Sequence, residues 1–366
     1  FGAQPSYLAH PPAYYHLLRG LARVTGGVPA GTLDEATRRL RALSAPLFVA
    51  AAALFLWLGL RRPAPLPAHA LYAATVATVP PFAFVGSAVN NDVLAFLAGG
   101  LALLGLARLL EGRAGAATGA LVGSGLALAL LSKATAGLLV LLAAGAALAL
   151  ARRVVGWERD HRFLLALLPW LLLPALHYVP ILLRYGTPVP SLDVVDPAAF
   201  ARSAFVEAPG APRLAVVPWA VKLLKVFGST WLSLIAHVWL PVGPLPTLAG
   251  PALAALLAAL GLLRRRRADG GAEAPVDDLV RAGAVALAGT LLVNLAWVRD
   301  AYVATERLGG IHARYYLPLF PVLGLAAARG LERLPARALL VAAVVILLVF
   351  FDAGVTARYL ALFPAP

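Results

Sequence analysis

Phe84-Val85-Gly86-Ser87-Ala88-Val89-Asn90-Asn91-Asp92-Val93-Leu94 is a polar knot between two apolar runs, Ala68 to Phe84 and Val93 to Leu110. Each run has roughly the 17–20 apolar residues that a helix rising about 1.5 Å per residue needs to cross about 30 Å of hydrocarbon. The knot therefore falls at a membrane surface, with Asp92 at the mouth of a transmembrane helix. Two readings of it stand side by side. In one it is a cap: Asn90 or Asn91 accepts hydrogen bonds from first-turn amides, and Asp92 puts negative charge at the positive end of the helix dipole. In the other Asp92 is a working carboxylate at the lip of an interfacial site, because an ionisable group at this depth is costly and is kept where it acts.

Composition points the same way. Hydrophobic residues make up 61% of the chain and charged residues 13%, which excludes both an ordinary globular domain and a disordered chain. The fold class is an all-α polytopic membrane protein. The absence of Cys excludes disulfides, thiolate metal sites and cysteine catalysis. Met is absent too and the sequence opens on Phe1-Gly2-Ala3, so an N-terminal part of the natural chain is expected to be missing. The net charge of +14 is scattered as arginines flanking apolar runs. That pattern suits anionic lipid and phosphate-bearing substrates rather than nucleic acid.

Four regions follow along the chain. Residues 1–44 form an amphipathic outer-face juxtamembrane segment, in which Thr32-Leu33-Asp34-Glu35 reads as a capping box that makes Asp34 and Glu35 structural. Residues 45–183 hold about six spans: Ala45–Leu60, Ala68–Phe84, Val93–Leu110, Ala116–Leu131, Ala134–Leu150 and Phe163–Leu183. Residues 184–246 are an outer-face loop whose stretch Val216 to Leu240, with Trp219, Lys222, Lys225, Trp231, His237 and Trp239, reads as an amphipathic anchor helix in the headgroup layer. Residues 247–366 add about four spans, Thr247–Leu263, Leu279–Val298, Leu317–Ala328 and Ala338–Phe351, for about ten transmembrane helices in all.

The stretch Ala114 to Leu150 has Lys133 as its one charge. As a single helix it would be roughly 55 Å long, nearly twice the bilayer core, so the chain turns back near Ser132-Lys133 and Lys133 is expected at a surface. Short connections carrying Arg61, Arg62, Arg108, Arg113, Arg152, Arg153, Arg159, Arg162, Arg264 to Arg267, Arg329, Arg333 and Arg337 share one side, the cytoplasmic one by the positive-inside rule. The knot at Asn90 to Asp92, Lys133, the long loop and residues 299–316 then share the outer face.

No phosphate-cradling glycine loop, zinc motif or nucleophile elbow is present, and the dispersed histidines offer no metal-ligand spacing. Three outer-face phrases remain. His10-Pro11-Pro12-Ala13-Tyr14-Tyr15 fixes an imidazole beside two phenols on a proline-stiffened backbone. Asn90-Asn91-Asp92 is the second. His312-Ala313-Arg314-Tyr315-Tyr316-Leu317-Pro318 opens a span with His and Arg where a lipid phosphate would lie. Each has a plainer account: Lys133 snorkelling at a hairpin tip, Arg314 as an interfacial anchor, His10 satisfying a nearby carbonyl, and Tyr14, Tyr15 and Tyr315 as belt aromatics.

Together and in this order, the phrases resemble the membrane glycosyltransferases of the GT-C superfamily, nearest its protein-mannosyltransferase and aminoarabinose-transferase branch and bacterial relatives. In that family a His/Lys-Pro-Pro-Leu-Tyr-Tyr phrase follows the first outer loop and an Asn-Xaa-Asp phrase opens a later span. A Ser-Lys turn closes a hairpin, and an Arg-Tyr-Leu-Leu-Pro phrase begins a span near the end. Here these correspond to His10 to Tyr15, Asn90 to Asp92, Ser132-Lys133 and Arg314 to Pro318. The likeness covers most of the chain, each phrase being weak alone.

The resemblance implies transfer of a sugar from a polyprenyl-phosphate donor to a glycan, lipid or protein acceptor at the extracytoplasmic side of a bacterial cytoplasmic (inner) membrane. Arg314 and Lys133 would hold the phosphate, with His10 and His312 donating hydrogen bonds and Tyr14, Asn91 and Tyr315 completing the substrate-binding set. Asp92 is the candidate catalytic carboxylate, as an orienting acid more than as the base. The family's own base precedes the Pro-Pro phrase, so either it lies upstream of Phe1 or this chain is not a competent transferase. Some relatives use a divalent metal and others none; no resident cofactor is assigned. Two other classes compete: a secondary transporter, which would show an inverted repeat and midplane charges not evident here, and a non-catalytic lipid-binding membrane protein.

Overall fold

The computed structural model describes residues 11–27, 32–78, 80–151, 161–190, 192–198, 214–232, 234–235, 238–239, 249–263, 274–305, 312–332, 334–335 and 337–362. Apart from one two-residue antiparallel ladder, Leu234–Ile235 with Val238–Trp239, the regular structure of these residues is helical. The helices are α1 (Ala13–Val24), α2 (Leu33–Leu60), α3 (Leu66–Ala77), α4 (Pro80–Ser87), α5 (Asp92–Leu110), α6 (Ala116–Ser132), α7 (Ala134–Ala151), α8 (His161–Tyr185), α9 (Leu192–Val195), α10 (Val216–Leu232), α11 (Ala249–Leu262), α12 (Ala274–Thr305), α13 (Phe320–Leu331) and α14 (Arg337–Leu362). Two 3-10 turns, Ala313–Tyr315 and Leu317–Leu319, lead into α13.

The hub is α5. Its 19 residues make a rod of about 28 Å, close to the thickness of a bilayer core. It packs against α2, α6, α7, α12 and the second 3-10 turn, so it is buried on nearly every side. Small residues let its neighbours approach. A Cβ at Gly125 of α6 would strike the backbone of Ala102 in α5, so these two helices touch main chain to main chain. Close packing of this kind replaces the hydrophobic drive that hydrocarbon does not supply. At the other extreme, α8 buries only Phe163 and Pro174 and turns a row of leucines outward, the surface expected of a helix facing lipid.

Among the described residues, six helices are long and apolar enough to cross a membrane: Leu33–Leu60, Asp92–Leu110, Ala134–Ala151, His161–Tyr185, Ala274–Asp300 and Arg337–Ala357. Three further apolar helices, Ala116–Ser132, Ala249–Leu262 and Leu317–Leu331, are shorter. The chain is thus an all-helical membrane protein by length and composition of its helices.

Several boundaries differ from the sequence reading. The run Ala68 to Phe84, expected as one span, is split into α3 and α4, because Pro80 and Pro81 lack amide hydrogens and disfavour helix just before them. The capping box at Thr32 is present: Glu35 N–H donates to Thr32 Oγ1 at 3.3 Å and Thr32 N–H to Glu35 Oε2 at 2.9 Å. The helix it opens does not stop before Ala45, however. It runs through Pro46 to Leu60, the carbonyl deprived of a partner belonging to the exposed Ala42. The amphipathic helix expected from Val216 to Leu240 ends at Leu232. Arg152, Arg153, Arg159, Arg264 to Arg267 and Arg333 lie outside the described residues.

The two groups of spans expected from sequence do not form separate cores. Leu71, Tyr72 and Leu106 share one apolar cluster with Leu257, Ala286, Leu325 and Val344.

Candidate functional site

The polar knot caps α5 in a mixed way. Asn90 Oδ1 accepts the Asp92 amide at 3.0 Å, a local turn of the kind asparagine makes. Asn91 instead reaches across the bundle: its side-chain amide donates to the Ser132 carbonyl at 2.8 Å, at the last residue of α6. That bond occupies a carbonyl a helix end would leave unpaired, and it pins the start of α5 to the α6–α7 turn. At that turn Lys133 has an extended backbone, its amide closing α6 onto Ala129 and its carbonyl accepting Gly137 N–H in α7.

The consequence is an ion pair. Lys133 Nζ donates to Asp92 Oδ1 at 2.5 Å, with the two side chains 6% and 1% exposed. Lys133 was expected at a surface; it does sit at the hairpin tip, but buried, because the carboxylate at the neighbouring helix end compensates its charge.

A third segment completes the cluster. Arg314, in the first 3-10 turn, brings Nε to 3.7 Å from Asp92 Oδ2, and its side chain keeps 22% exposure. Tyr315 lies between the two cations, with Lys133 Nζ 4.1 Å and Arg314 Cζ 5.5 Å from its ring centre, contacts in which the ring's negative face attracts charge. The His312 ring meets Tyr315 edge-on at 5.4 Å.

This turn is braced on three sides. Thr230 of α10 accepts the Ala313 amide at 2.8 Å. Asn294 of α12 donates to the Tyr316 hydroxyl at 2.8 Å. Pro318 lies flat on α5 at Gly99, where a Cβ would drive into its carbonyl; only glycine permits this approach. Sequence reading did not single out Thr230, Asn294 or Gly99. Their partners lie far away in the chain, and nothing local marks a threonine, asparagine or helical glycine as a brace.

Tyr14 takes another role than the one expected. It is fully buried; its hydroxyl shares a 3.0 Å hydrogen bond with Ser44 of α2 and accepts the Asn90 amide at 3.1 Å. Burial pushes the phenol pKa up despite those bonds. It is a strut holding the knot, and neither a belt aromatic nor a group open to substrate. His10 lies outside the described residues. Of the remaining candidates, Asn91, Asp92, Lys133, His312, Arg314 and Tyr315 come together at one end of α5, and Tyr14 supports them from behind.

Chemically, among the described residues one buried carboxylate faces two cations, and the more exposed of the two is an arginine. Guanidinium presents its donors as a planar fork suited to phosphate or carboxylate oxygens. Among the described residues no three His, Asp or Glu side chains are grouped to hold a metal ion. A groove of about 290 Å³, lined by none of the cluster's own residues, opens between α1, α2 and Val89 of the knot, with Tyr15, Leu18, Ala22 and Leu40 on its walls and Arg19 and Arg23 beside them. A larger cavity of about 630 Å³ lies at the opposite end of α5, against Arg61 and Glu111. No protein-family model, curated protein or solved structure matches the chain.

Proposed function

We propose that the chain is a membrane glycosyltransferase that moves a sugar from a polyprenyl-phosphate donor to an acceptor hydroxyl at the outer face of a bacterial cytoplasmic membrane, within a bundle of about ten spans. The observation that carries this reading is the meeting of Asp92, Lys133 and Arg314, three charged residues from distant segments, in one mostly buried cluster. A carboxylate and two cations at membrane depth are costly, and such groups persist where they act.

In the reaction the acceptor hydroxyl oxygen attacks the anomeric carbon, the bond from that carbon to the phosphate oxygen breaks with its electron pair leaving on the phosphate, and the hydroxyl proton is released to water. Arg314, the cation with most exposure, grips the departing phosphate and offsets its growing charge. Lys133 adds a fixed positive charge behind it, held in line by Asp92 and the Tyr315 ring. Asp92 Oδ1 is committed to Lys133, while Oδ2 has no hydrogen-bond partner among the described residues. Oδ2 is therefore the lone pair that can accept a hydrogen bond from the acceptor hydroxyl and aim it. The groove beside α1, apolar with two arginines at its rim, suits a lipid tail and its headgroup.

Reconstituting the full-length protein in liposomes with polyprenyl-phosphate sugar, and counting sugar transferred, tests this. Transfer should fall at least tenfold in Arg314→Ala and in Asp92→Asn. Unchanged transfer in both variants removes the site; passage of substrate across the membrane without transfer favours a transporter, and binding of the donor without either favours a non-catalytic lipid-binding protein.

A further inference from the structure

At the far end of α5 the charges are arranged differently. Arg61, just past α2, donates to Glu111 at 2.5 Å, and Arg113 comes within 3.9 Å of the same carboxylate. Arg329 of α13 donates to Asp277 at 2.9 Å and to Glu332 at 2.8 Å. These pairs engage both glutamates that line the 630 Å³ cavity between α2, α3, α12, α13 and the residues just past α5. The same cavity is lined by Arg61, Arg62, Arg113, Arg329 and His69, five basic side chains against two acids.

Arg62 is left over. Its backbone is anchored, since its carbonyl meets His69 Nε2 at 3.0 Å. Its guanidinium is not: Nε and both terminal nitrogens are buried, and among the described residues no acceptor reaches any of them. Burial, and then the neighbouring Arg61, pull its pKa down to about 10. A guanidinium in that position is a donor group awaiting oxygens, because a buried charge without partners is among the least stable arrangements a protein can hold.

We propose that this cavity is a phosphate-binding site, separate from the Asp92 cluster and independent of the transferase reading, in which Arg62 swings a short way from the wall to meet a phosphate monoester, with Arg113 at the mouth as second donor. Phosphate fits better than a simple carboxylate. Its tetrahedral oxygens can engage two guanidinium forks at once. The volume is that of a small-molecule site, with space for the group the phosphate is esterified to. A lipid headgroup and a soluble phosphate share this chemistry.

The test uses the purified full chain in uncharged detergent, with inorganic phosphate as one probe, and in vesicles of phosphatidylcholine with or without phosphatidic acid as the other. The wild type should unfold at higher temperature with at least one probe. A response to inorganic phosphate identifies a soluble source, and a response to phosphatidic acid alone a lipid headgroup; both support the site. Arg62→Gln should lose the response and, without phosphate, unfold at or above the wild-type midpoint, since it removes a buried guanidinium whose nitrogens meet no hydrogen-bond acceptor among the described residues. Arg113→Gln, at a side chain 66% exposed and so of little weight in folding, should weaken the half-saturating phosphate concentration about tenfold. The proposal is overturned by no response to either probe, by equal responses in wild type and both variants, or by an Arg62→Gln protein that unfolds well below wild type in phosphate-free buffer.

Discussion

Replacing Asp92 by Asn should be far more damaging than removing either cation it holds. The carboxylate is 1% exposed and serves Lys133 at 2.5 Å and Arg314 at 3.7 Å. Coulomb attraction falls as the inverse of distance, so the Arg314 contact retains about two thirds of the attraction of the Lys133 contact. Lys133→Met therefore leaves Asp92 partly compensated and should cost about 1–2 kcal/mol. Asp92→Asn strands the buried ammonium altogether, and breaking a buried pair from one side costs about 3–5 kcal/mol. The double variant, Asp92→Asn with Lys133→Met, removes both buried charges and should recover about 2 kcal/mol relative to Asp92→Asn alone. Reversible unfolding in mixed detergent micelles, followed by tryptophan fluorescence, gives all three free energies. Equal costs for the two single variants, or strict additivity in the double, would refute the view that one carboxylate holds both cations in a mostly buried site.

Further outcomes test other parts of the structure. Gly99→Ala puts a methyl group into the Pro318 carbonyl, which is main chain and cannot yield, so it should cost about 1–3 kcal/mol and displace Arg314. Gly145→Ala in α7, where nothing lies within 4 Å, should instead be neutral or stabilising by up to about 1 kcal/mol. Tyr14→Phe removes the bonds to Ser44 and Asn90 and should lower stability by about 1–2 kcal/mol in the same unfolding assay. An arginine whose folded pKa lies below its ordinary value costs stability while it is charged in both states. For Arg62, at about 10, that cost is full below about pH 10 and shrinks above it. The stability gap between Arg62→Gln and wild type, about 2–3 kcal/mol in phosphate-free buffer at neutral pH, should therefore narrow as the pH is raised past about 10.

Local patterns were legible in the sequence and distant ones were not. The capping box at Thr32 needs only four residues to be recognised, and it is present. The turn at Lys133 followed from length alone, since no single helix of that size fits a bilayer. The break at Pro80-Pro81 was also written in the sequence, but a mean apolar character across Ala68 to Phe84 masked it. What the sequence did not reveal was which way the charged groups would face. A lysine at a hairpin tip normally reaches water; here it turns inward because Asn91, bonded to Ser132, sets Asp92 beside it. Likewise Arg61 and Arg62 look equivalent as a doubled arginine after a span. Only the fold, by bringing Glu111 to Arg61, separates the paired one from the other.

Because α5 is one uninterrupted rod with Asp92 in its first turn and Glu111 just past its last, the two polar ends of the bundle are mechanically joined. A slide of this helix along its own axis would carry the carboxylate away from Lys133 and press Glu111 against Arg61 in the same stroke. With α2, α4, α6, α7 and α12 packed on its flanks, the rod resists such a slide, and the spacing between the two charged ends stays constant.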